Sequence, residues 1–235
     1  MKPFHIVVST LALALSATAA HAGFVTLDLS PIVNSDLFTY TNGTNYPGPG
    51  ATTINATPFL LAPAATNPTH TGVVGGVASI GVPAAYAITG LNIANVTSMY
   101  ALINSAFGTC GTSVGSIGAT SSGVASYALT EGVNVRDHVN GVFCNVQTDA
   151  VATANYPGDV RFDVYQFDLS GITNSGVDLL TAFNFKTFGA AGLGEPFLAA
   201  VTFVTRDTNV PEPESILMIT AGLLGCSVRR RRNRT

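Results

Sequence analysis

Through most of the chain, apolar and polar residues alternate with a period of two, the spacing of a strand with one face buried. The alternation predicts strands over 24–29, 57–61, 73–82, 86–93, 114–119, 124–129, 161–169, 177–188 and 197–205. The stretch 161–169, RFDVYQFDL, is the clearest. Phe162, Val164, Gln166 and Asp168 share one face, opposite Arg161, Asp163, Tyr165 and Phe167. Clusters of Gly, Pro, Asn, Ser and Thr at 42–50 (NGTNYPGPG), 62–71, 120–123 and 189–196 read as turns and loops. One stretch keeps a different period. Val96, Met99, Tyr100, Ile103 and Phe107 stand at i, i+3, i+4, i+7 and i+11, with Asn95 or Thr97 to cap the start and Gly108 to end it. This spacing predicts one helix over 96–107, whose Met and aromatic stripe packs into the core. Short strands, frequent turns and a single helix define an all-β, jelly-roll-like β-sandwich. No internal repeat appears at a fixed period.

The two ends follow other rules. Lys2, an apolar run at 6–15 and Ala20-His21-Ala22 before Gly23 make 1–22 a secretory signal peptide for the Sec translocon. At the other end Pro211 and Pro213 break any helix, and the uncharged run 216–228 follows. Its thirteen residues would rise about 20 Å as a helix, short of the roughly 30 Å hydrocarbon core. Arg229, Arg230, Arg231 and Arg232, with Arg234, would hold the C-terminus on the cytoplasmic side. The chain thus divides into a signal peptide (1–22), a β-sandwich domain (23–209) and a hydrophobic C-terminal helix with its spacer (210–235).

Val210-Pro211-Glu212-Pro213, the apolar run and the arginine block resemble the PEP-CTERM sorting signal of Gram-negative exopolysaccharide producers. Cys226 within the apolar run departs from the usual Leu or Ala. The resemblance implies recognition by an exosortase, a membrane-embedded cysteine protease or transpeptidase. The tail would be removed or exchanged near Pro-Glu-Pro, after a transient stay in the inner membrane. The destination it implies is the cell surface or extracellular matrix, with exopolysaccharide as the partner. A plain tail anchor is the alternative. The body also resembles a loose group of PEP-CTERM proteins of unknown function, through VTSMYALINSAFGTCG, EGVNVRDHVNG and GEPFLAAVTF, within roughly 91–205. That likeness implies a shared β domain and no chemistry.

Charge narrows the partners. The body carries four Lys and Arg against eleven Asp and Glu, a net −7, which argues against nucleic acid and anionic lipid. Cys110 and Cys144 lie together in the exported body, and an oxidising compartment permits one disulfide between them; two buried thiols are the alternative. The body's histidines, His70 and His138, lie far apart, and no nucleophile elbow, zinc-protease motif, C-x-x-C or phosphate loop is present. The reading is therefore non-enzymatic, with no catalytic residues, no metal site and no cofactor. One exception is a structural calcium, by analogy with jelly-roll domains, on oxygens from Asp149, Asn155, Asp159 and Asp163.

The densest polar cluster surrounds Arg136, Asp137 and His138. As a ligand site it offers a guanidinium, a carboxylate and an imidazole to sugar hydroxyls, with Tyr127, Tyr156 or Tyr165 as aromatic platforms. As ordinary loop chemistry, Arg136 and Asp137 pair locally and His138 is exposed. The expected function is a structural or adhesive surface or matrix protein associated with exopolysaccharide. A carbohydrate-binding module with a discrete site and a secreted hydrolase are the alternatives.

Overall fold

Pleated backbone with β-branched and aromatic residues on alternate faces accounts for nearly every element of the computed structural model. The model describes residues 23–36, 46–63, 75–78, 83–146, 149–173, 178–189 and 194–206. These fall within one compact unit, Ala22–Asp207; a second grouping, 1–21 with 208–235, lies outside the described residues. In chain order the strands are β1 (Gly23–Leu27), β2 (Ser35–Asp36), β3 (Gly50–Ile54), β4 (Thr57–Leu61), β5 (Gly75–Ala78), β6 (Ala84–Ala94) and β7 (Val96–Ala106). They continue as β8 (Ser113–Thr120), β9 (Val124–Thr130), β10 (Ala150–Tyr156), β11 (Val160–Asp168), β12 (Leu179–Thr187) and β13 (Glu195–Thr205).

The larger sheet runs β10-β11-β7-β13-β5-β2, and β1 pairs with β13 beside β5 on the same edge. The smaller runs β6-β12-β8-β9. Every pairing is antiparallel. From β5 to β13 the chain changes sheet at each step except within the β8–β9 and β10–β11 hairpins. The result is β5-β13-β7-β11 facing β6-β12-β8-β9, the jelly-roll winding expected from the sequence, with β10 added at the edge.

Two cores sit on the two faces of the larger sheet. Between the sheets lie Met99, Ile103, Ile117, Leu129, Phe167, Phe183, Phe185, Leu198 and Phe203, among others. On the outer face the β3–β4 hairpin packs Ile54, Phe59 and Leu61 against Leu102, Phe162, Val164 and Phe197. Thr202 Oγ1 donates to Pro58 O at 2.6 Å and Ala62 N to Ala199 O at 2.9 Å, tying the hairpin to β13.

The predicted helix over 96–107 is not there: the stretch is strand β7. Because β7 lies between β11 and β13 and is covered on both faces, apolar side chains occur on both faces. A continuous apolar run of that kind satisfies helical spacing by accident. Asn95 (φ 58) is no helix cap but the one-residue corner between β6 and β7, and Phe107 (φ 61) ends the strand in the left-handed region. Three further strands, β2, β3 and β10, were not predicted. The small residues of GATTI and AVATANY give weak apolar alternation. The 73–82 prediction shortens to β5 within the described residues, and β13 starts two residues earlier than expected.

The β3–β4 turn generates a prediction. Asn55 (φ 49) and Ala56 (φ 62) form a two-residue turn in which glycine is the favoured second residue. Ala56 is exposed, so Ala56→Gly relieves left-handed strain without opening a cavity. Urea unfolding of the variant should show a gain of up to about 1 kcal/mol.

Candidate functional site

The larger sheet forks. β7 and β11 pair from Ser98↔Asp168 to Leu102↔Val164, then part. Backbone groups exposed inside such a fork must find partners, and the loop 131–146 supplies them. Ser105 N donates to Arg136 O, His138 N to Ser105 O and Arg161 N to His138 O, each at 2.9 Å. Asn140 N donates to Asp159 O at 2.8 Å. Residues 136–140 thus serve as a short extra strand between β7 and β11. The Cys110–Cys144 disulfide and the bond from Cys144 N to Gly108 O fix the loop to the chain that follows β7. Closing 34 residues of sequence, that bridge stabilises by about 4 kcal/mol in the chain-entropy account.

Asp163, fully buried, sits where the fork opens. Its Oδ2 accepts from Arg136 Nε at 2.8 Å and Asn104 Nδ2 at 2.7 Å. Its Oδ1 accepts from Arg136 Nη2 at 2.8 Å and Thr153 Oγ1 at 2.6 Å. Asn104 completes the junction, its Oδ1 accepting from Asp163 N at 3.0 Å. The buried Arg161 stands beside the same carboxylate, Nε to Oδ2 at 3.5 Å, and donates to Asn140 Oδ1, Asn145 Oδ1 and Asp137 O. The hydrogen bond to Asp163 raises the pKa of the Arg136 guanidinium further.

Three more buried groups titrate out of their usual ranges. Asp137 accepts from Phe107 N at 2.9 Å and Val139 N at 2.8 Å, yet burial still pushes it up to about 6. His138 packs against Tyr46 and Phe197, its Nδ1 2.8 Å from Tyr46 Oη. Burial, with the Arg161 charge second, lowers it to about 4. Glu131 is fully buried, and neither carboxyl oxygen has a hydrogen-bond partner. Burial pushes it up to about 8; the nearby Ser105 hydroxyl offsets a little without completing a hydrogen bond. Its niche depends on two glycines. A Cβ at Gly108 or Gly194 would stand 2.2 Å or 2.4 Å from the Glu131 carboxyl.

The three residues singled out by sequence therefore come together as part of the interior. Arg136 is half-buried on Asp163, Asp137 is spent on backbone amides, and His138 is buried rather than exposed. Tyr165 lies in the inter-sheet core, Tyr127 leans on Phe167 and Tyr156 on Phe162, so they form no shared platform. Of the four oxygen donors considered for calcium, Asp149 and Asp159 flank opposite ends of β10, Asn155 is exposed and Asp163 is saturated by its donors. Among the described residues no group of three or more His, Cys, Asp or Glu is arranged to hold a metal. Asn104 and Glu131 escaped the sequence reading as site residues, and Asp163 entered it only as a calcium ligand. The available signal was Arg161 and Asp163 alternating on the same face as Tyr165 and Phe167. An open groove of about 490 Å³ lies on the outer face, lined by Thr97, Ser98, Val151, Gln166, Asp168 and Ser170.

Fold and cluster define a disulfide-closed jelly-roll body whose polar chemistry is mostly internal. The chain's sorting is set elsewhere. Residues 209–232 match the PEP-CTERM protein-sorting motif, which takes in Val210, Pro211, Glu212, Pro213 and Arg229 to Arg232. The chain thus carries an exosortase sorting signal, which marks it for export to the cell surface or extracellular space. No curated protein and no solved structure matches the chain. The expected signal peptide, the sorting motif and the apolar tail lie outside the described residues, among which no helix is long and apolar enough to cross a membrane.

Two predictions follow from the clamp. Asp163→Asn leaves Arg136 and Arg161 buried without their counter-charge and should cost about 3–5 kcal/mol in denaturant unfolding. The second concerns pH. Glu131 keeps its proton to about 8 when folded but to 4.5 otherwise, so stability should fall as pH rises from about 4.5 through 8. His138 works in the opposite sense over an overlapping, more acidic window. The unfolded imidazole takes up its proton at 6.5 and the folded one at about 4, so stability falls as pH drops through that range. Glu131→Gln should therefore abolish the decline in Tm between about pH 6.5 and 8, where His138 no longer offsets it.

Proposed function

We infer that the protein is a non-enzymatic structural or adhesive component of the cell surface or extracellular matrix, associated with exopolysaccharide. The observation that carries this reading is the sorting motif at 209–232, joined to a body whose buried charges are engaged in holding its own loops. In this account the Sec translocon takes the chain across the inner membrane and the arginines halt it there. Exosortase then separates the body from the tail near Pro211 to Pro213. The body needs no cofactor for this role; its stability rests on two apolar cores, the disulfide and the Asp163 clamp.

A second reading, a carbohydrate-binding module with a discrete sugar site, is favoured by an exposed aromatic pair, Phe107 and Phe143, at one end of the sandwich. The two readings differ in whether contact with polysaccharide is spread over the surface or gathered at one place.

Intact mass and fractionation of the protein from its host, with and without the exosortase, test the sorting pathway. The expected mature species begins at Gly23, ends near Pro211 to Pro213 and is found outside the inner membrane only when the exosortase is present. A full-length C-terminus bearing Arg229 to Arg232 in the inner membrane of the complete host would overturn the reading.

A further inference from the structure

The loops that the disulfide joins end in an unusual surface. Phe107 and Phe143 are 42 % and 61 % exposed, with ring centroids 5.1 Å apart in an edge-to-face pair. Both occupy the left-handed region, φ 61 and 49, which bulky side chains avoid. Folding holds them there with buried bonds: Phe107 N is donated to Asp137 Oδ2, and Cys144 N to Gly108 O. Val133, Val142 and Val146 are also exposed. Strained backbone holding exposed aromatic rings points to use of those rings, since solvent exposure gives no stability in return.

Chain geometry limits what can meet this tip. Phe107 follows β7, at the end where Ala106 pairs with Glu195. The body's chain enters and leaves at the other end, where Gly23 pairs with Thr205 and Arg206 N bonds Asn95 O. The eleven residues of β7 separate the two ends by about 33 Å. A body held through its C-terminal side therefore has this tip at its far end, away from its point of attachment.

Charge limits the occupant further. Residues 107–112 and 139–146 contain no ionisable side chain apart from the bonded cysteines. The exposed acids Asp149 and Asp159 border them, joined by backbone bonds to Val133 and Asn140. Acids on the rim disfavour an anionic polymer and a second copy of this acidic body alike. What remains compatible is a neutral, polyhydroxylated chain. Its C–H faces carry partial positive charge that suits the negative face of an aromatic ring. Asn140, exposed and with Oδ1 already engaged by Arg161, keeps its amide N–H groups for hydroxyl oxygens.

We propose that the Phe107–Phe143 tip is a binding site for a neutral polysaccharide, with Phe143 as the stacking ring and Asn140 as a donor. This rests on the discrete-site reading above and assigns it a ligand class and a place on the molecule.

The test is affinity electrophoresis of the exported protein, purified from its host, through gels containing laminarin, hydroxyethyl cellulose or the anionic alginate. At least one neutral polymer should retard the protein and alginate should not. Phe143→Gly removes the ring and relaxes the left-handed backbone. It should keep or raise Tm while weakening retardation at least about tenfold. Val124→Ser, at the opposite end, should bind as the parent does. Lack of retardation by either neutral polymer, or unchanged retardation of Phe143→Gly, would overturn the proposal. So would a concentration-dependent dimer that Phe143→Gly abolishes, without polymer binding. Co-fractionation with the matrix, scored on the same variants, separates the two readings. Phe143→Gly that stays with the matrix and binds polymer normally sinks the tip alone, whereas a parent that never associates with the matrix sinks both.

Discussion

Everything at one end of this sandwich depends on a single buried carboxylate. Where β7 and β11 separate, the sheet would expose unpaired backbone, and the loop that fills the gap brings a guanidinium with it. Asp163 is the counter-charge that makes this insertion tolerable, with two bonds to Arg136 and one each to Asn104 and Thr153. A buried ion pair of this kind adds little net stability over an apolar filling. Its value is in register. Four donors from three segments can meet those two oxygens in only one arrangement. The position of residues 136–140 between β7 and β11 is thereby fixed.

The carboxyls that accompany the clamp have different partners and therefore different fates. Asp137 is bonded by two backbone amides, which hold it nearer the ordinary range despite burial. Glu131 has no donors and is neutral through most of the physiological range. Its shape still matters. Gly108 and Gly194 leave room for the carboxyl, so the loop after β7, the start of β13 and the start of the 131–146 loop close on one another through it. The stretches VTSMYALINSAFGTCG, EGVNVRDHVNG and GEPFLAAVTF contain these same segments, and they meet here.

Much of the fold was legible because an exposed or half-covered strand announces its faces. RFDVYQFDL divided correctly into Phe162, Val164, Gln166 and Asp168 outside and Arg161, Asp163, Tyr165 and Phe167 inside, and the jelly-roll winding agrees with the predicted all-β class. The stretch at 96–107 misled for a physical reason. A strand buried on both faces loses its alternation, and only its bounding residues, Asn95 and Phe107 at positive φ, reveal a strand between corners. The site was less legible. Sequence marked Arg136, Asp137 and His138 as a cluster, but whether such a cluster faces solvent depends on a partner 27 residues from Arg136, and local spacing does not report that.

The same limit explains why the aromatic tip went unnoticed. Phe107 looked like the last residue of a helical stripe, and Phe143 stood in a loop with no periodicity at all. The disulfide and the clamp bring them side by side. Burial and exposure are thus linked across this end of the molecule. Charged side chains that would ordinarily solvate a loop are turned inward to hold it, and the apolar residues between them are left outside. A body with few charges would more simply have left Arg136 and Asp137 in water and put Phe143 in the core. That the arrangement is inverted, at the end of the body away from Gly23 and Arg206, makes the tip the part of the surface least explained by folding alone.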